Sequence, residues 1–216
     1  MAQSTFLDFA GAQLPTPPAR VLEVGCGQGE LTTALAVAGY EVLGIDPLAP
    51  QGERFRRISL EDLDLEEGPF DAVVASHSLH HIRDLGHALD RIAALLRVGG
   101  VLVLDEQAWD LADEGTLDWF YNQRRTLAAA GEGEAPASLD ALRDEWEAEH
   151  VGVHGFESLR IAVDARFEER EFVPTPFLCR LLGGVATEVL EQALIDAGAI
   201  QPLGFRFAGV VRAPEG

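Results

Sequence analysis

Two cysteines, few basic residues and no long apolar run set the first limits on this protein. Its 216 residues include only two cysteines, Cys26 and Cys179. Two are too few for a disulfide framework or a four-thiolate zinc site. No apolar run approaches the roughly 18 residues that a membrane-spanning helix needs. The first residues carry no basic stretch ahead of an apolar core, so they do not resemble a secretory signal peptide. We therefore expect a protein of the reducing, cytoplasmic compartment.

Basic residues are scarce. The chain has 16 lysines and arginines and 36 aspartates and glutamates, which gives a net charge of −20. The densest basic window holds Arg54, Arg56 and Arg57, and it is flanked by Glu53 and Glu61. Such a surface repels nucleic-acid phosphates and anionic lipid headgroups. We therefore expect neither a nucleic-acid partner nor membrane association, and we interpret the acidic surface as a solubilising one.

The chain otherwise has the composition of a globular protein, with 47% apolar and 24% charged residues. Its first half alternates short apolar runs with helical patterns. This alternation predicts an open parallel sheet with helices on both faces. Strands are predicted at 20–24, 41–45, 57–59, 70–75 and 101–104, and helices at 31–38 and from 85 to the glycines at 99–100.

The second half follows a different pattern. Residues 106–166 are acidic, contain all three tryptophans and predict two or three helices, separated at the turn-forming segment 131–136. A strand at 170–173, a helix at 186–197 and a strand at 205–211 then complete the sheet. We predict a single domain over 1–216, with its core at 20–105 and 167–216 and a helical insertion at 106–166.

Three glycines, Gly25, Gly27 and Gly29, join the first strand to the first helix of this core. Glycines permit positive φ and let a ligand approach the backbone. The dinucleotide pattern G-x-G-x-x-G requires a third glycine where Glu30 stands, and that carboxylate disfavours a pyrophosphate and hence NAD. Glu23, just before the loop, instead suits a cationic ligand.

Asp46 ends the second strand, seventeen residues after Gly29. An acidic side chain at this place accepts hydrogen bonds from both ribose hydroxyls of a nucleoside. The alternative is that Asp46 opens an Asp-Pro turn with Pro47. Together with the glycine loop, Asp46 predicts a site for a nucleoside-bearing ligand.

Four segments together resemble the class I S-adenosylmethionine-dependent methyltransferases, especially the small-molecule group with a type-11-like methyltransferase domain. They read VLEVGCGQGELT, YEVLGIDP, PFDAVVASHSLHHIRD and LLRVGGVLVLDE, in the family's order and spacing. The resemblance covers residues 20–105 closely. It implies a three-layer, Rossmann-like fold with a seven-stranded, mostly parallel sheet, in which the insertion at 106–166 forms a helical lid between strands five and six.

The resemblance also implies that S-adenosylmethionine is the cofactor and assigns its contacts to ten positions. These are Glu23, Gly25, Cys26, Gly27, Asp46, Pro47, Leu60, Glu61, Ser76 and His77. The first four are expected to hold the methionine part and the next two the ribose and adenine. Leu60, through its amide, and Glu61 are expected at the adenine edge, and the last two near the amino group. Ser59 departs from the family, which has an aspartate there.

The cofactor would supply an electrophilic methyl group, which the protein must align with a nucleophile in a site without water. If the acceptor atom is an oxygen, a base is also required. His77 and His81 are the candidate catalytic residues, although His81 is also placed to pack at a helix start. We expect no metal, because neither cysteines nor an HExxH pattern accompany these histidines.

The acceptor is expected to be a small molecule, held by the lid. The aromatic residues Trp109, Trp119, Phe120 and Tyr121 can line an apolar acceptor pocket or form the core of the inserted helices. Three alternatives stay open: methylation of a protein or tRNA, cofactor binding without turnover, and a nicotinamide-dependent reductase. The oligomeric state cannot be read from the sequence.

Overall fold

A computed structural model describes residues 5–212 and contains a seven-stranded mixed sheet with strand order β3-β2-β1-β4-β5-β7-β6. The strands are β1 (Arg20–Val24), β2 (Glu41–Ile45), β3 (Phe55–Arg56), β4 (Phe70–Ser76), β5 (Leu96–Gln107), β6 (Phe167–Thr175) and β7 (Gly204–Val211). The helices are α1 (Phe6–Gln13), α2 (Glu30–Val37), α3 (Leu85–Leu95), α4 (Glu114–Ala129), α5 (Leu139–Glu149), α6 (Phe156–Asp164) and α7 (Val185–Asp196). Strands β1 to β5 pair in parallel. The predicted class of fold is therefore confirmed.

Several predicted boundaries are wrong by a few residues. The third strand is Phe55–Arg56 and not 57–59, and the structure places Phe55 so that its ring packs over Gly29. Helix α3 ends at Leu95, before the predicted stop at 99–100, because Leu96 already pairs with Phe70 in the sheet. Helix α1 was not predicted. Thr5 caps it, since its hydroxyl accepts the amide hydrogen of Asp8 while the carboxylate of Asp8 accepts that of Thr5.

The described chain forms two compact units, and the first contains the chain up to Glu106, Ser158–Val173 and the residues from Arg206 onward. Its central strands are buried on both faces, as in a parallel sheet that helices cover. One apolar cluster combines residues of α1, α2 and five strands, including Phe9, Leu35, Val74, Val103 and Ala208. This packing fixes the strand ends from which the functional loops leave.

The second unit contains Gln107–Glu157 and Pro174–Phe205. Its apolar cluster includes Leu117, Phe120, Leu142, Trp146 and Leu203. The segment 131–136 separates α4 from α5, as predicted. The compact units divide the chain differently from the predicted insertion at 106–166, because 158–166 belong to the first unit and 174–205 to the second. The lid function of the insertion stays a prediction.

Within residues 5–212, no helix has the length and apolar character needed to cross a membrane.

Candidate functional site

The glycine loop, residues 25–29, connects β1 to α2 and has the backbone that its glycines predict. Gly25, Gly27 and Gly29 adopt φ values of 76°, 49° and 83°, a left-handed conformation that other residues rarely adopt. The amides of Gly25 and Cys26 both donate to the carbonyl oxygen of Ile45, at 2.9 and 3.1 Å. The end of β2 therefore holds the loop in place.

Asp46, directly after β2, binds this loop through its side chain. One carboxylate oxygen accepts the amide hydrogen of Gly27 at 3.2 Å, and the other accepts that of Leu48 at 2.7 Å. The second contact is an Asx turn, so the Asp-Pro turn considered from the sequence is present. Each oxygen keeps a further lone pair for a ligand donor. The turn and a ribose contact are thus compatible.

A first cavity, of about 410 Å³, lies in the first unit beside Asp46. It is lined by Val24, Gly25, Gly27, Ile45, Asp46, Pro47, Ile58, Ser59, Leu60, Glu61, His77, Ser78, His81 and Ile82. Four chain segments that the sequence suggested separately thus meet around one space: the ends of β1, β2 and β4 with the loops that follow them, and the segment 58–61. Its volume falls within the range of small-molecule sites.

The wall at 58–61 depends on a residue that the sequence did not indicate. Arg91 of α3 donates from Nε to the carbonyl oxygen of Leu60 at 3.0 Å, and a second guanidinium nitrogen donates to that of Leu63. Ser59, which replaces the family's aspartate, donates its hydroxyl to the carboxylate of Asp62 at 2.9 Å. The carboxylate beside position 59 thus comes from Asp62, three residues further along the chain.

The post-β4 turn, residues 77–81, forms another wall. Within residues 5–212, His77 is the one residue other than glycine with a positive φ, at 49°. Its Nε2 lies 3.6 Å from Oδ2 of Asp105, which is buried. Ser78, which the sequence analysis did not single out, donates its hydroxyl to the carbonyl oxygen of Val24 at 2.8 Å. Burial lowers the pKa of His81, and the neighbouring His80 lowers it further.

Of the ten predicted cofactor contacts, Glu23, Cys26 and Ser76 do not line the first cavity. Glu23 is only 3% exposed and accepts a short hydrogen bond from the hydroxyl of Thr32. Burial raises the pKa of Glu23, while the Thr32 hydrogen bond opposes this rise. Burial also raises the pKa of the Cys26 thiol to about 12, with the Glu23 and Asp46 charges adding to the effect.

The predicted aromatic residues of the insertion pack in the core of the second unit. Phe120 belongs to the apolar cluster of that unit, and Trp109, Trp119 and Tyr121 pack against it. A second cavity, of about 320 Å³, is lined in part by Phe120 and Trp146 together with Glu132, Glu134, Glu145 and Glu149. Trp109, Trp119 and Tyr121 therefore take the second of the two roles considered from the sequence, which is to form the core of the inserted helices. Phe120 belongs to this core and also lines the second cavity.

No group of three or more histidine, cysteine, aspartate or glutamate side chains within residues 5–212 is arranged to hold a metal ion.

Comparison with known proteins places the chain in a family. Residues 3–151 match the family described as a methyltransferase domain, which is more than half of the chain. The ubiquinone biosynthesis O-methyltransferase of Xanthomonas campestris pv. campestris (strain B100) is 39% identical over 113 residues. That alignment covers 45% of this chain and 47% of the relative, so the chain spans about half the length of the curated relatives it matches.

Solved structures share the fold over nearly the whole chain. An S-adenosylmethionine-dependent methyltransferase from Mesorhizobium loti superposes with a TM-score of 0.59 at 18% identity, over 96% of this chain and 98% of that one. The 1,6-didemethyltoxoflavin-N1-methyltransferase of Burkholderia thailandensis gives a TM-score of 0.56 at 19% identity, over 96% and 79%. The chain therefore belongs to the methyltransferase domain family and has the fold of the class I S-adenosylmethionine-dependent methyltransferases.

Proposed function

We propose that this protein transfers a methyl group from S-adenosylmethionine to a small-molecule acceptor by direct displacement. One observation carries the proposal: the glycine loop, Asp46 and the post-β4 turn line a single cavity of about 410 Å³. The family match supports the reaction type. The O-methyltransferase relative, which is named for ubiquinone biosynthesis, supports a small molecule as acceptor.

The residues around the first cavity fit the cofactor. Asp46 offers carboxylate oxygens with remaining lone pairs to the ribose hydroxyls, and Pro47, Leu60 and Glu61 line the space for the adenine. A Cβ at Gly27 would meet no atom within 4 Å, so the backbone is open to a ligand there. When bound, the cofactor supplies a methyl group on a positively charged sulfur.

We place the methionine part of the cofactor against the backbone of Gly25 and Gly27, which line the first cavity. The amides of Gly25, Cys26 and Gly27 donate to Ile45 and Asp46, so these three amides already have acceptors within the protein. Glu23, Cys26 and Ser76 do not line this cavity, so we propose that they act through the neighbouring residues that do.

Two histidines of the post-β4 turn are the proposed proton acceptors for a hydroxyl acceptor. His77 lines the cavity, and Asp105 lies close enough to orient its ring. His81 also lines the cavity, and because burial lowers its pKa it stays neutral, as a base must be, to a lower pH than an exposed histidine. A nitrogen or sulfur acceptor would make less use of either residue.

Calorimetric titration of the purified protein with S-adenosylmethionine, S-adenosylhomocysteine and NAD tests the proposal first. We expect micromolar binding of the first two and none of NAD; the reverse result would identify a nicotinamide-dependent enzyme. Small-molecule, peptide and tRNA acceptors are then compared by the release of S-adenosylhomocysteine. Turnover on peptide or tRNA alone would contradict the small-molecule proposal, and cofactor binding without any turnover would favour a binding module.

A further inference from the structure

We propose that Glu106 is a positioning residue of the cofactor site, because its buried carboxylate sets the post-β4 turn that forms one wall of the first cavity. The inference rests on the proposed function, since the first cavity is taken as the cofactor site. Neither the sequence motifs nor the family resemblance assigned a role to this residue.

The carboxylate of Glu106 is fully buried, at 0% exposure, and makes three contacts with the turn. One oxygen accepts the amide hydrogens of Ser78 at 3.0 Å and Leu79 at 2.7 Å. The other lies 2.5 Å from Nδ1 of His80, a side chain that is also buried. The contacts thus fall on three successive residues of the turn.

Sheet register brings Glu106 to this position. Strands β4 and β5 run in parallel with Ser76 opposite Asp105, so the next residues, His77 just after β4 and Glu106 still within β5, lie side by side. The amide of His77 donates to the carbonyl oxygen of Asp105 at 2.8 Å and extends the pairing by one residue. The next two amides, of Ser78 and Leu79, donate to the side chain of Glu106 and not to a strand carbonyl.

The turn that Glu106 holds contains one residue in a strained backbone conformation. His77 has a left-handed backbone, at φ 49°, which is costly for a residue with a side chain. His77, Ser78 and His81 line the first cavity, whereas Leu79 and His80 are buried beneath it. Removal of the carboxylate leaves the amides of Ser78 and Leu79 without their acceptor. Because an unsatisfied buried amide is costly, we expect the turn to change its conformation.

Glu191 is a matched control within the same chain. It is also 0% exposed, and its carboxylate accepts the amide hydrogens of Phe177, Leu178 and Cys179 at 2.8, 2.9 and 2.6 Å. It does not line the first cavity. Its loss should therefore lower stability by the same physical cause without acting on the cofactor wall.

The experiment measures S-adenosylhomocysteine affinity by calorimetry and thermal stability for the wild type, E106A, E106Q and E191A. We expect E106A to bind at least tenfold more weakly and E106Q to stay within about threefold, because glutamine keeps the oxygen that accepts both amides. E191A should lower the melting temperature as E106A does and bind within about twofold of the wild type. A purely structural role for Glu106 predicts instead that E106A and E191A behave alike.

Wild-type affinity in E106A overturns the inference, and so does an equal loss in E191A. If E106A does not fold, E106D replaces it, because aspartate keeps the charge but is one methylene too short to reach the turn. E106D should then bind at least fivefold more weakly, and unchanged binding would overturn the inference. Failure of the wild type to bind S-adenosylhomocysteine would overturn the proposed function. If the wild type binds and the Glu106 variants bind equally well, only the inference about Glu106 is overturned.

Discussion

Gly25 and Ser78 occupy neighbouring space so closely that only one of them can carry a side chain. An ideal Cβ on Gly25 would lie 2.2 Å from the Cβ of Ser78 and 2.8 Å from its hydroxyl oxygen. The hydroxyl of Ser78 in turn bonds the carbonyl oxygen of Val24, at the end of β1. The glycine loop and the post-β4 turn are therefore in direct contact, and a change in one must move the other.

Gly25→Ala is expected to lower the free energy of unfolding by about 1–3 kcal/mol, since the added methyl group clashes with Ser78 and the backbone has φ 76°. Chemical denaturation measures the loss. The double variant Gly25→Ala/Ser78→Gly should recover part of it, because the clash goes while the backbone strain stays. No recovery in the double variant would mean that Ser78 is not the obstacle.

Asp46→Ala is expected to weaken S-adenosylmethionine binding by about 1.5–3 kcal/mol, roughly tenfold to a hundredfold, which is the usual loss for hydrogen bonds to a charged group. Calorimetry of the folded variant measures the change. Unchanged affinity would remove Asp46 from the ribose contact.

Asp64→Ala is the control for Asp46. The carboxylate of Asp64 accepts the amide hydrogen of Glu66 at 2.9 Å, two residues along the chain, just as Asp46 accepts that of Leu48. Because Asp64 does not line the first cavity, its variant should retain wild-type affinity. A similar loss in both variants would trace the effect to turn stability.

Glu23→Gln is expected to change how stability depends on pH and to leave cofactor affinity within about twofold. Burial raises the pKa of Glu23 above its ordinary value of 4.5, so the stability that this carboxyl contributes is present below that value and is lost as the pH rises through the folded-state pKa. Glutamine keeps an oxygen for Thr32 but does not titrate. The variant should therefore gain stability relative to the wild type as the pH rises above about 4.5.

Urea unfolding across this pH range measures the difference between the two proteins. A difference that does not vary with pH would contradict the burial argument. A large loss of affinity for S-adenosylhomocysteine in Glu23→Gln would instead mean that Glu23 contacts the cofactor directly.

Both cysteines are expected to be unreactive in the folded protein. Burial raises the pKa of Cys26 and of Cys179 to about 12, and only the thiolate is nucleophilic. A thiol reagent at about pH 8 should therefore label neither cysteine until urea is added, and should then label both. Because the raised pKa favours folding only while the thiols are protonated, stability should fall as the pH rises from about 9 towards 12. Rapid labelling of native protein would contradict this.

Arg91→Met is expected to weaken S-adenosylhomocysteine binding several-fold, because the carbonyl oxygens of Leu60 and Leu63 lose the guanidinium that holds the wall at 58–61. Arg97→Met is the matched control. Arg97 pairs with Asp71 at 2.5 Å, is 48% exposed and does not line the cavity, so its loss should cost less than about 1 kcal/mol of stability and leave affinity unchanged. Equal affinities for the two variants would show that Arg91 does not act on the site.

The sequence by itself determined the succession of strands and helices along the first half, the glycine loop and the place of Asp46. These features depend on near neighbours in the chain: apolar runs mark buried strands, and glycines mark a backbone with positive φ. Helix α1 escaped prediction because it is short and only Phe9 and Ala10 of it are buried. The boundary at Leu96 was missed because pairing with Phe70, and not local propensity, decides it.

Only the tertiary structure decided which residues hold the site together. Glu106 reaches the post-β4 turn, Arg91 reaches the wall at 58–61 and Ser78 meets Gly25, over sequence separations that no local pattern records. Each contact exists because the parallel register of the sheet and the packing of α3 bring distant residues to the same edge. The sequence indicates which residues can face a ligand, and the tertiary structure decides that the buried carboxylate of Glu106 and the half-buried guanidinium of Arg91 keep them in place.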